Sequence, residues 1–231
     1  MSTNRRLVTV TLIGALAGSL AAFWYIRRAP APAVASPPAT AQVATGQAGA
    51  SSADGAVAAK RAKEVPNELP DFTLASLEGP PKALSSFKQP VLVVNFWATW
   101  CAPCRREIPL LRQIRAERGA KGLEVVGIAV DFREDVQKYV AKIGLDYPLL
   151  IGEEDGLAAA DQFGVDAVFP FTAFADARRR IVALKVGELH AEEASFILDR
   201  VEKLNAGGLS IEAARQQIGD ELARLAAARG K

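Results

Sequence analysis

The chain is poor in the residues that build most catalytic and metal centres: among 231 residues there is one histidine, His190, and there are two cysteines, Cys101 and Cys104. Two cysteines exclude a disulfide-dense scaffold, and with a single histidine this chain cannot fill a four-ligand zinc site or supply a histidine-centred triad. An excess of basic charge is also lacking. The net charge is +2, and Arg5, Arg6, Arg27 and Arg28 carry more than all of it, so the remaining residues are slightly acidic. That excludes the clustered basic face expected of a nucleic-acid binder, and no nucleic-acid partner is expected. What remains for chemistry is the pair of thiols. With 50% hydrophobic and 23% charged residues, the chain has the composition of a globular protein with a core of its own.

Residues 7–26, LVTVTLIGALAGSLAAFWYI, run without a charge, and at about 1.5 Å per residue they match the roughly 30 Å of a bilayer core. Trp24 and Tyr25 close the run, where amphipathic rings favour the headgroup region. Residues 1–28 are therefore expected to be a signal anchor. A cleaved signal peptide ending at the Ala33-Val34-Ala35 pattern is the alternative, against which Arg27 and Arg28 stand because they end the apolar run well before that site. The arginines flanking the run balance, so charge alone does not set orientation. A short tail before the run and a long domain after it fit a domain outside the cytoplasm, at the periplasmic face of an inner membrane. Residues 29–65 are mostly Ala, Pro, Ser, Thr and Gly up to about residue 59, too poor in large apolar side chains to fold alone, and read as a linker.

From about residue 66 strand and helix signals alternate. VLVVNF at 91–96 is a continuous apolar run suited to a strand covered on both faces. A helix is expected after Cys101, with Ile108, Leu111 and Ile114 at helical spacing and a stop at Gly119. EVVGIAV at 124–130 reads as a second buried strand, parallel to the first through a right-handed crossover, and a further helix is expected around residues 136–142. YPLLIG, a short helix around 157–163, two antiparallel strands about a turn at 176–179, and a helix over 191–204 complete an α/β mixed sheet flanked by helices, residues 66–206. Residues 207–231 form a C-terminal helical extension that Ser210 can cap, with Ile211, Ala214, Ile218, Leu222 and Leu225 in one stripe packed on the same domain.

WATWCAPC at 97–104 sits where a buried strand meets a helix. A helix N-terminus offers free N–H groups and partial positive charge to a thiolate, so Cys101 is the expected nucleophile. Cys104, one turn deeper, is the expected resolving thiol. Pro103 in the first turn forfeits no helical hydrogen bond. A structural disulfide is the competing reading, weakened by the short loop it would close. A metal clasp is another, weakened by the shortage of ligands.

These residues are similar to a known family. VLVVNFWATWCAPCRREIP at 91–109, the stretch from 126 to 152, and FGVDAVFPFTAFAD at 163–176 resemble the thioredoxin-like, membrane-anchored TlpA/ResA-type thiol-disulfide oxidoreductases of bacteria. The resemblance implies a thioredoxin-like fold and an enzyme that reduces client disulfides with no cofactor beyond its own Cys101–Cys104 pair. It places Pro170 in a cis-proline loop beside the thiols, where a trans turn proline would otherwise be the default. It gives Glu107 a role in moving thiol protons, against the plainer reading of an exposed helix-face carboxylate. Asn95 stands where cytoplasmic thioredoxins carry a buried aspartate. Trp100, Pro103, Phe169 and Thr172 become candidates for substrate contact, and no metal site is implied. Trp97 is expected inside, Arg105 and Arg106 in solvent, and His190 as an ordinary cap or surface residue. Implied partners are disulfide-bearing client proteins, apocytochrome c or copper-site proteins among them, and a transmembrane thiol-reductant transporter as electron donor. A disulfide oxidant or isomerase, or a non-catalytic CxxC binding module, are the alternatives.

Overall fold

The computed structural model describes residues 64–166 and 168–230. The anchor expected over 1–28 and the linker up to residue 63 lie outside the described residues, and among the described residues no helix is long and apolar enough to cross a membrane. In chain order the strands are β1 (Thr73–Ser76), β2 (Lys82–Ala83), β3 (Val91–Trp97), β4 (Leu123–Ala129), β5 (Leu149–Ile151), β6 (Phe171–Ala175) and β7 (Ile181–Val186). The helices are α1 (Ala102–Arg118) between β3 and β4, α2 (Arg133–Ile143) and α3 (Glu154–Asp161) either side of β5, then α4 (Ala191–Asn205) and α5 (Ile211–Arg229).

One sheet orders the strands β2-β1-β5-β4-β3-β6-β7. β3, β4 and β5 are parallel, as the β-α-β reading requires, and β6 and β7 run antiparallel about a turn at residues 176–179. Asp176 shapes that turn: its Oδ1 accepts from the N–H groups of Arg178 (3.0 Å) and Arg180 (2.8 Å). β1 and β2 were not legible in the sequence. They are short, four and two residues, and too brief to show alternation.

Alternation along the central strands divides the interior in two. Leu92, Val94 and Phe96 of β3 join Val126 and Ile128 of β4 and Phe163 and Phe171 in one apolar layer. Val91, Val93 and Trp97 face the other way, into the layer built by Ile108, Leu111 and Ile114 of α1 and Ile197, Leu198 and Val201 of α4. Gly127 belongs to the second side because nothing larger fits. A Cβ there would stand 2.5 Å from Leu149 Cδ2, 2.9 Å from Tyr147 Cε2 and 3.2 Å from Trp97 Nε1.

The extension packs as expected. Ser210 Oγ accepts from Ala213 N at 3.2 Å and caps α5, Ala214 and Ile218 are buried, and Ile211 and Leu222 lie against the core. Leu225 falls outside that cluster, so the stripe ends one turn early. At the other boundary, chain packing begins slightly before the expected residue 66. Gly164, at φ +74°, lies so close to Glu64 that a Cβ would come within 2.6 Å of its carbonyl oxygen.

Candidate active site

Cys101 is the N-cap of α1, with extended backbone, and its Sγ accepts from Cys104 N at 3.3 Å. The two cysteines are joined in a disulfide with Cα atoms 5.3 Å apart. Cys104 is fully buried whereas Cys101 keeps a small exposed surface, so an incoming disulfide reaches Cys101 first. Pro103 occupies the first helical turn and is half-buried beside the pair. Trp100, 67% exposed, stands immediately before Cys101, and its ring meets Phe169 edge-on at 6.4 Å. The Phe169–Pro170 bond is cis, and Pro170 is buried while Phe169 is half-buried.

Below the disulfide the second side of the sheet turns polar. In the β-ladder Asn95 is paired with Thr172 on β6 and with Gly127 on β4, so these three form a row across the sheet. Glu107, three residues after Cys104 and thus on the same face of α1, comes down onto this row. It is 1% exposed, which removes the reading of it as a surface carboxylate. Its Oε1 accepts from Asn95 Nδ2 at 2.7 Å and its Oε2 from the backbone N–H of Leu189 at 2.7 Å. Burial pushes its carboxyl up to about 7, against the pull of those two donors. Burial also pushes the Tyr147 hydroxyl up, and the Glu107 charge adds to that.

Thr172 needs correction as a substrate contact. Alternation along β6 turns it inward, it is fully buried, and its Oγ1 accepts from Asn95 Nδ2 at 3.0 Å. Its place is in the polar row under Glu107. Arg106 is in solvent, as expected. Exposed as it is, it forks onto Glu188, with Nε 2.9 Å and Nη2 2.5 Å from Oε2, and the pairing lowers the Glu188 carboxyl below its ordinary value. Trp97 is fully buried, and His190 is the N-cap of α4, as expected.

Two parts of the site escaped sequence reasoning. Asp131 holds the loop before Cys101: its Oδ2 accepts from Thr99 N (2.8 Å) and Thr99 Oγ1 (2.6 Å), and its Oδ1 from Phe132 N (2.9 Å). The signal was present. β3 and β4 are parallel with Trp97 opposite Ala129, so residues two beyond each end, Thr99 and Asp131, fall side by side. The other part is the loop at residues 187–190, which supplies Leu189 N–H to Glu107 and Gly187 N–H to Pro170 O at 2.8 Å. Backbone donors leave no mark in a sequence.

Comparison with known proteins agrees with this geometry. The AhpC/TSA family model matches residues 65–206. The thiol-disulfide oxidoreductase ResA of Geobacillus thermodenitrificans is 28% identical over 144 residues, covering 62% of this chain and 81% of the relative. Among solved structures, a secreted thiol-disulfide isomerase of Corynebacterium glutamicum is 33% identical with a TM-score of 0.51, covering 65% of this chain and 94% of its own. A thiol:disulfide interchange protein of the thioredoxin family from Chlorobium tepidum is 29% identical with a TM-score of 0.52, covering 61% of this chain and 99% of its own. The family match encloses both cysteines, the carboxylate beneath them and the proline loop beside them, and the chain belongs to the AhpC/TSA family, as a thiol-disulfide oxidoreductase on a thioredoxin-like fold.

Proposed function

We propose that the protein is an extracytoplasmic, membrane-anchored disulfide reductase that works through Cys101 and Cys104 alone, with no further cofactor. The observation that carries the reading is a buried carboxyl, Glu107, pushed up to about 7 and set one turn beyond a fully buried Cys104. A group poised there takes a proton from a buried thiol near neutral pH and returns it, which the resolving step requires.

The reaction starts from the dithiol. Cys101 thiolate, favoured by the α1 N-terminus, attacks one sulfur of a client disulfide; the client's S–S bond breaks and its first thiolate leaves, to be protonated. Glu107 then takes the Cys104 proton. Cys104 attacks Cys101 Sγ, the mixed disulfide breaks, and the second client thiolate departs with a proton. Two electrons have passed to the client and the enzyme holds the Cys101–Cys104 disulfide. Turnover needs a dithiol donor, for which a transmembrane thiol-reductant transporter is the proposed source. Trp100, Pro103 and Phe169 border the nucleophile and would rest against an extended client strand, and the cysteine pairs of apocytochrome c or copper-site proteins are the proposed clients.

The equilibrium reduction potential of the pair in the full chain tests the direction of electron flow. A value at or below about −220 mV fits a reductase that needs its own electron supply; one of about −120 to −180 mV replaces this reading with an oxidant or isomerase.

A further inference from the structure

The loop at residues 187–190 is tied at every position. Gly187 N–H donates to Pro170 O at 2.8 Å, the Glu188 carboxylate accepts from Arg106 of α1, Leu189 N–H donates to Glu107 Oε2 at 2.7 Å, and His190 N–H donates to Glu193 Oε2 at 3.0 Å. It thus touches the proline loop, the helix that carries both cysteines, and the carboxylate beneath them. The far end of the strap is held by a second buried acid. Glu193, in the first turn of α4, is 1% exposed. Arg229, in the last turn of α5, donates to its Oε1. Lys185 Nζ lies 3.8 Å from its Oε2, and the His190 ring Nδ1 stands 3.3 Å from that oxygen and 3.1 Å from Glu188 O. Both neighbours of that ring nitrogen are acceptors, so Nδ1 carries the proton.

Arg229 lies in α5, outside the stretch the family model matches, residues 65–206. α5 packs on α4 and β7, and its arginine ends on an acid whose other oxygen holds the root of the strap. We propose that α5 acts as a buttress for the reaction: Arg229 and Glu193 are positioning residues that fix the strap at 187–190, and through Leu189 N–H they set how tightly Glu107 is sealed beneath the thiols. The inference rests on the reading of Glu107 as the proton acceptor.

The groups facing Glu107 are Asn95 from β3, Leu189 N–H and the Glu188 carboxylate from the strap, and Lys185 from β7, with Tyr147 ahead of β5 also within its electrostatic reach. None of them is replaced when α5 is altered. A loosened strap does two things to Glu107. It weakens the Leu189 donor, which favours the neutral acid, and it admits water, which favours the carboxylate. Burial is the largest influence on this group, so the second effect dominates and the carboxyl moves down towards its ordinary value.

The test is the pH dependence of iodoacetamide alkylation of reduced Cys101 in the full chain, where the Glu107 charge disfavours the neighbouring thiolate and marks the profile with an inflection near pH 7. Arg229→Ala and Glu193→Gln should each move that inflection down by about half a pH unit or more, Arg229→Lys should keep the wild-type profile, and neither shift should survive in a Glu107→Gln background. Should Arg229→Ala fail to fold, Glu193→Gln, nearly isosteric, decides alone. Profiles of Arg229→Ala and Glu193→Gln that superimpose on the wild type, whatever happens to thermal stability, overturn the buttress and leave α5 a structural cover. A wild-type Cys101 that reacts no faster than a free thiol and shows no inflection takes down the functional reading itself, and the buttress with it. A shift that persists in the Glu107→Gln background refutes the route through Glu107.

Discussion

The two faces of β3 lie on one seven-residue strand, fully buried throughout, and yet they are built to opposite rules. On one face Phe96 stacks on Phe171 at 4.4 Å and meets Phe163 at 5.2 Å, within an apolar layer. On the other, one residue earlier, Asn95 bridges Glu107 and Thr172. The first face gains from every apolar atom it removes from water. The second forgoes part of that gain and buries a carboxyl whose ionisation is costly there. The difference shows where the fold is invested in stability and where in chemistry, with only the thickness of a sheet between them.

The sharpest way to separate the faces is to remove the nucleophile. Cys101→Ser should abolish disulfide reduction, by about a thousandfold or more, without unfolding the chain, and Cys104→Ser should accumulate mixed disulfides with client proteins on non-reducing gels. Accumulation in Cys101→Ser would exchange the two roles. On the apolar face, Phe96→Ala should cost about 3–5 kcal/mol in urea unfolding, because the aromatic layer cannot collapse into the gap, while the thiol pH profile of the folded fraction stays in place. A profile that moves with Phe96 would mean that the faces are coupled.

Glu107→Gln tests the polar face by the pH dependence of stability. As pH rises through the ordinary carboxyl value of 4.5, the unfolded chain loses the proton first; the folded chain keeps it to about 7. Between those limits the native state binds more protons, so stability falls with rising pH, by on the order of 3 kcal/mol for a shift of this size. The loss is complete above about pH 7 and absent below 4.5. Urea unfolding of the oxidised protein across that window should show the fall in the wild type and a flat line in Glu107→Gln. Parallel lines would return Glu107 to an ordinary carboxylate.

The apolar face was legible in advance, and the polar face only in part, for a physical reason. VLVVNF announces a strand covered on both sides by composition alone, and parallel pairing followed from the helix between two such runs. Cys101 and Cys104 were legible because strand, CxxC and helix signals coincide at one point. Glu107 was legible as a candidate through resemblance, but its burial was not, since nothing local tells a helix-face acid that it will land on Asn95. Thr172 is a candidate for substrate contact only through the resemblance of its segment to the family's proline loop, while the strand alternation that sets it under Glu107 depends on where β6 starts. Leu189 and Gly187 contribute only N–H groups, which every residue but proline carries.

The smallest effect probes whether the polar row acts as a unit. Thr172→Val keeps the shape and removes one acceptor, leaving the Asn95 amide its bond to Glu107 alone, and should cost about 1 kcal/mol at neutral pH. If Thr172 and Glu107 share the Asn95 amide as one network, orienting it in one place orients it in the other. Thr172→Val should then be non-additive with Glu107→Gln by about 0.5 kcal/mol or more, whereas Phe171→Leu, on the apolar face one residue away, should add with Glu107→Gln to within about 0.5 kcal/mol. Additivity in both cycles would make the row two separate contacts that happen to be adjacent. The contrast between the faces would then reduce to a contrast in burial, and the special standing of Asn95 would rest on its bond to Glu107 alone.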